Sequence, residues 1–130
     1  MKSYLVKVII PIYRSFLSEN ERISLDRTYH VLKNHPIVVV KPDSLKTNTL
    51  SENYPALIFE SFDDAYFRSL SGYNQLMLSE EFYERFADAG YILICQLDVY
   101  IFKDELKEWC LKGYDYIGAP WLVRPIYRFP

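Results

Sequence analysis

Tyr91-Ile92-Leu93-Ile94-Cys95-Gln96-Leu97 decides the fold. The run is short, rich in β-branched and aromatic residues, and apolar on both of its alternating faces. A strand that is apolar on both faces belongs in a parallel sheet covered on two sides. It is therefore expected at the centre of the sheet. It runs straight into Asp98. Leaving a carboxylate buried and unpaired is costly, so Asp98 must face solvent, a ligand or a metal.

Working outward, Leu5 to Ile12 reads as a first strand, with Pro11 at its end, where a missing N–H does little harm. Ser18 followed by Glu21 is a capping-box pattern. Leu25, Tyr29 and Leu32 then mark one face of a helix that stops at His35-Pro36. Ile37 to Val40 and Leu57 to Phe62 read as two more strands, with a short helix expected within 43–53. Ser69 to Leu78 reads as helical, and Ser79 caps a further helix with Phe82, Phe86 and Ala89 on its inner face. Gly90 is expected as the residue that ends it. Leu106, Trp109 and Cys110 mark a last short helix closed by Gly113, and Tyr114 to Gly118 is expected as a final strand. Strands alternating with helices predict an α/β fold: an open, mostly parallel sheet with helices on both faces.

The totals bound the rest. The chain has 130 residues, half of them apolar or aromatic, enough for one domain (1–130) with a sizeable core. The net charge is −2 and no run of one sign exceeds two residues, so no basic patch points to nucleic acid. No stretch reaches transmembrane length, and the N-terminus lacks the apolar run of a signal peptide. The expected compartment is the cytoplasm. Cys95 and Cys110 are too few for a disulfide framework and read as reduced, structural thiols. His30 and His35 stand in no cluster and read as surface or satisfied residues.

Open parallel sheets bind ligands beyond the carboxyl ends of their strands. The residues that follow the strands are therefore the candidates: Pro11, Ile12, Tyr13 and Arg14; Lys41, Pro42 and Asp43; Asp63 and Asp64; and Asp98. Gln96 and Asp98 point to the same side of their strand, so both oxygens could reach one cation or one ribose. Alternatively, Asp98 caps the helix near Asp104 or pairs with a lysine. Asp63 and Asp64 fit either acid–base or metal chemistry or a turn. Gly72-Tyr73-Asn74 would let a helix end approach a ligand. Gly118 and Trp121 would offer a sugar contact, or simply pack under a loop.

The opening Val8-Ile9-Ile10-Pro11-Ile12-Tyr13 resembles the first strand and nucleotide loop of GT-A-fold glycosyltransferases. Tyr91 to Phe102 resembles the strand that carries their DxD motif, with Lys103 to Leu106 as the following helix start. Gly72 to Leu76 resembles the helix before that strand in the group containing glycogenin. With Phe62 to Ser69, Phe82 to Phe86 and Tyr114 to Trp121 added, the chain more closely still resembles a bacterial family of unknown function regarded as glycosyltransferase-like.

The resemblance implies a Rossmann-like nucleotide-binding half that binds a nucleoside diphosphate sugar and transfers the sugar to an unknown acceptor. Pro11, Tyr13, Arg14, Gly72, Asn74, Gln96 and Asp98 would form the donor site. Asp98 matches the second Asp of DxD, which would hold Mn²⁺ or Mg²⁺. Gln96 takes the place of the first Asp, and an amide is a weak, neutral ligand for either ion. Without the metal, Arg14, Arg68 or Lys103 would have to meet the diphosphate charge. Relatives of this kind continue into an acceptor half, so this chain is expected to hold the donor part alone, and no catalytic base is assigned. Two other readings remain: a non-catalytic binding or interaction module that kept the fold, and an unrelated phosphate-chemistry enzyme joining Asp98 to Asp63 or Asp64.

Overall fold

A computed structural model describes residues 2–119. The elements run β1 (Tyr4–Pro11), α1 (Glu19–Val31), β2 (Ile37–Pro42), α2 (Asn48–Asn53), β3 (Ile58–Phe62), a 3₁₀ turn (Asp64–Phe67), α3 (Leu70–Met77), α4 (Glu80–Arg85), β4 (Ala89–Ile94) and α5 (Leu106–Leu111). The sheet order is β3-β2-β1-β4, and all three pairings are parallel. The α/β fold with a parallel sheet is as expected from the sequence.

Side-chain alternation builds one core on each face. Val8 and Ile10 of β1 and Ile37 and Val39 of β2 pack against Leu25 and Leu32 of the α1 region, Leu50 of α2 and, at its edge, Leu106 of α5. Ile9, Val38 and Val40 point the other way, to Leu76 of α3 and to Phe82 and Phe86 around α4. Every residue of β2 is buried, and β2 and β1 are the two inner strands of the sheet.

The helix starts follow their caps. Ser18 and Glu21 form the full capping box on α1. Ser69 accepts from the Gly72 N–H and Ser79 from the Phe82 N–H. Gly113, at φ 75°, ends α5 in the left-handed region that glycine tolerates.

Three expectations change. Among the described residues β4 is an edge strand rather than a central one, paired with β1 alone, and most of its residues are half-buried or exposed. Its apolar composition is used partly by the two cores (Leu93 on one, Ile92 on the other), while Ile94 is open to solvent. Tyr114 to Gly118 forms no strand; these residues are exposed and hydrogen-bond to no strand of the sheet. Gly90 lies inside β4, because α4 already stops at Arg85.

Gly72 has a structural use. A Cβ there would sit 2.6 Å from the Ala65 carbonyl oxygen and 3.1 Å from that of Tyr66, so α3 crosses the 3₁₀ turn in backbone contact. Gly72→Ala should therefore cost about 1–3 kcal/mol through forced displacement of that turn, read as a lowered urea midpoint at unchanged slope. An unchanged midpoint would show that the crossing yields freely.

Candidate active site

The strand order reverses direction between β1 and β4: β2 and β3 follow on one side of β1, and β4 lies on the other. Open α/β sheets bind ligands at such a point, outside the carboxyl ends of the strands. A cavity of about 550 Å³ lies there. One wall is the β1–α1 connection, from Pro11 through Tyr13, Arg14 and Leu17 to Glu21. A second is the junction of the 3₁₀ turn with α3, from Phe67 and Arg68 to Tyr73. The segment after β4, Gln96 to Asp98, closes the third side. A shallower depression of about 420 Å³ adjoins it and shares Glu21, Leu97 and Asp98.

Each polar group has a definite setting. Glu21 Oε1 accepts from the Ser18 N–H at 3.0 Å, and both its oxygens accept from Arg14 Nη2. The Ser18 backbone bond, before all else, holds the Glu21 carboxyl below its ordinary range. Arg14 also lies over the Tyr13 ring, 5.1 Å from its centroid. Gln96 donates to the Tyr73 hydroxyl at 3.3 Å, joining the third wall to the second. The Asp98 carboxylate and the Arg68 guanidinium are exposed and make no hydrogen bond or ion pair among the described residues.

Asp98 is nonetheless held in place, because the chain behind it is fastened to α1. Ser24 Oγ donates to the Val99 carbonyl at 2.6 Å, and Arg27 donates to those of Ile101 and Phe102 at 2.6 and 2.9 Å. His35 Nε2 meets Asp104 Oδ2 at 2.7 Å. The other Asp104 oxygen accepts from the Leu106 N–H at the start of α5. Asp104, not Asp98, is thus the carboxylate spent at that helix start. Sequence reasoning passed over Ser24 and Arg27. No local pattern marks them, because their partners Val99 and Ile101 lie more than seventy positions away.

Of the predicted donor-site residues, Pro11, Tyr13, Arg14, Gln96 and Asp98 meet on one cavity. Gly72 and Asn74 do not line it: Gly72 is buried against the 3₁₀ turn and Asn74 is exposed on α3. Gly118 lies outside it, beside the Tyr116 ring, and Trp121 lies outside the described residues. Asp63 and Asp64 serve the turn. Asp63 accepts from the Ala65 N–H at 2.8 Å, and Asp64 accepts from the Ser44 N–H at 3.0 Å. The bond from Ser44 holds the Asp64 carboxyl below its usual range. Neither lines the cavity, so a site joining them to Asp98 has no geometric support. Lys41 is buried, its ammonium satisfied by the Pro42 and Leu45 carbonyls. Both cysteines are free, and burial pushes the Cys95 thiol up, in keeping with a structural role.

Residues 56–128 match the family described as protein of unknown function (DUF5672), more than half of the chain. The chain belongs to this family. The family's span takes in β3 and everything after it, hence Arg68, Tyr73, Gln96 and Asp98. The β1–α1 wall with Tyr13 and Arg14 lies ahead of it. No curated protein matches the chain. Among the described residues, no helix is long and apolar enough to cross a membrane.

The cation that the DxD resemblance implies can be tested against the side chains present. Asp98 offers the one uncommitted carboxylate on the cavity wall, beside the neutral amide of Gln96; Glu21 is taken by Arg14 and Ser18. No three His, Cys, Asp or Glu converge among the described residues, and positions 120–130 contain none of these residue types. Two guanidinium groups on the same walls repel a cation. This donor set does not make a resident divalent-metal site.

Proposed function

We propose that the cavity at the β1/β4 junction is the donor site of a glycosyltransferase, binding a nucleoside diphosphate sugar for transfer to an acceptor yet to be identified. The observation that supports this most is the position: an open cleft at the reversal point of a 3-2-1-4 parallel sheet, the point at which doubly wound sheets of order 3-2-1-4-5-6 bind nucleotides. The lining suits the ligand. Tyr13 and Tyr73 offer faces and hydroxyls to a base and ribose, with Pro11, Leu17 and Leu97 as apolar floor. Asp98 is an acceptor for ribose or sugar hydroxyls. Arg14 and Arg68 are cations for the diphosphate. In glycosyl transfer the bond from the anomeric carbon to the diphosphate oxygen breaks and the leaving group gains negative charge, which placed cations stabilise. The bacterial glycosyltransferase-like character stated for the sequence belongs to this same reading.

A second reading, a binding module without turnover, draws on Gln96 standing where a DxD carboxylate would be. One experiment separates the two. The chain is incubated with nucleotide sugars of uracil, guanine, adenine and thymine, and both binding and nucleoside diphosphate release are followed. Release above the protein-free rate is expected for one base. Saturable binding without release selects the binding module. Neither binding nor release, with any base, removes the donor-site reading.

A further inference from the structure

We infer that the cavity takes the diphosphate on Arg14 and Arg68, with no divalent cation between protein and phosphate. This rests on the nucleotide-sugar reading above and specifies how that site meets the ligand's charge.

Three basic side chains were candidates from the sequence, and the structure separates them. Lys103 lies off the cavity wall, its ammonium 2.7 Å from Glu105 Oε1. Arg14 and Arg68 both line the cavity, from two different connections: the loop after β1, and the residue that closes the 3₁₀ turn ahead of α3. Their settings are complementary. Arg14 is oriented in advance: its Nη2 is anchored on Glu21, itself fixed by the capping box, and its plane is steadied over Tyr13. Its Nε and Nη1 make no hydrogen bond among the described residues. Arg68 uses none of its guanidinium donors on the described residues. A guanidinium presents its N–H groups in a planar fork that matches two phosphate oxygens at once. An anchored fork and a free one, on separate loops, can hold two linked phosphoryl groups without a metal.

The carboxylates agree with this. Glu21 neutralises part of Arg14 and positions it, while Asp98 stands free for hydroxyl groups. A cation drawn to Asp98 would have one carboxylate and one neutral amide in reach, against two arginines competing for the same phosphate oxygens.

The test is calorimetric titration of the whole chain with UDP, GDP, ADP, dTDP and inorganic pyrophosphate, in EDTA and again in Mn²⁺. Saturable binding of at least one nucleotide in EDTA is expected, not strengthened by Mn²⁺ and weakened by added salt. Arg68→Gln and Arg14→Gln should each lower affinity by about tenfold or more, since each removes charged hydrogen bonds. Lys103→Gln should leave it unchanged. Arg14→Lys keeps the charge but not the fork, and should fall between wild type and Arg14→Gln. Thermal unfolding of each variant shows whether the cap survived. Binding that appears only with Mn²⁺ overturns the cation-free assignment and leaves the nucleotide reading standing. Binding in EDTA that neither arginine affects overturns the role of this pair. No binding in either buffer overturns the nucleotide reading itself.

Discussion

Phe82→Ala should lower stability by about 3–5 kcal/mol, the usual result of emptying a fully buried aromatic site. Phe82 is wholly buried, and its ring touches three others: Tyr83 and Phe86 edge-on at 5.0 and 5.1 Å, and Phe62 tilted at 5.9 Å. Arg85 lies over the Phe62 ring at 4.3 Å, so that face of the sheet is closed by stacked groups that depend on one another. Small α4 has six residues and little propensity to stand alone. Removing its inward anchor takes away the reason for it to dock. A domain of this kind has about 5–15 kcal/mol in total, so the variant should be partly unfolded near 37 °C. Urea titration followed by far-UV circular dichroism reads the loss. Phe102→Ala is the control: that ring is 80% exposed, and its removal should change stability by less than about 0.5 kcal/mol. If Phe82→Ala cost no more than Phe102→Ala, the second core would be loosely packed.

Asp98→Ala should have the opposite profile. The side chain is exposed and has no partner among the described residues, so stability should stay within about 0.5 kcal/mol of wild type. The segment after it keeps its own fastenings through Ser24, Arg27 and His35, so the loop should not collapse. If the cavity is the proposed donor site, affinity for a nucleotide sugar should fall by about tenfold to a hundredfold, the range for a charged acceptor facing ligand hydroxyls. Asp98→Asn keeps the shape and one acceptor, and should lose less. Calorimetric titration beside thermal unfolding reads both quantities. Unchanged affinity would take Asp98 out of the site. Loss of folding would make it a structural residue.

How much of this was legible follows from the range of each interaction. The capping box at Ser18 and Glu21 involves neighbours in sequence, and so does the cap at Ser79; both were readable, while Ser69, read as the first helical residue, is the cap before it. That Asp98 lies beyond the carboxyl end of its strand followed from a rule that needs no tertiary detail, but the strand stops at Ile94 and not at Leu97, so Gln96 and Asp98 stand in the connection after it rather than on one side of a strand. The placing of β4 was not readable. Apolar residues on both faces say that a strand is covered, not that both of its edges are paired, and Tyr91 to Ile94 satisfy the first condition only in part. Gly72 misled because a glycine can approach backbone as readily as ligand, and here the partner is the Ala65 carbonyl. Asp63 and Asp64 were evenly balanced between turn and chemistry, and hydrogen bonds to Ala65 and Ser44 decide for the turn. Arg27 reaches across more than seventy positions to Ile101, a contact that no local pattern announces.

α1 reaches two of the three walls of the cavity. Its capped end holds Arg14 through Glu21, and its middle turns hold the Asp98 segment through Ser24 and Arg27. Those two walls are thereby parts of one rigid frame, with a single helix as its beam. The remaining wall, carrying Arg68, belongs to the opposite layer and is joined to the frame across the cleft by the bond between Gln96 and Tyr73. The Arg68 side is fixed as well, since Tyr66 and Phe67 pack on the second core and Asp64 ties the 3₁₀ turn to Ser44, so a ligand meets a cleft already shaped on all three sides.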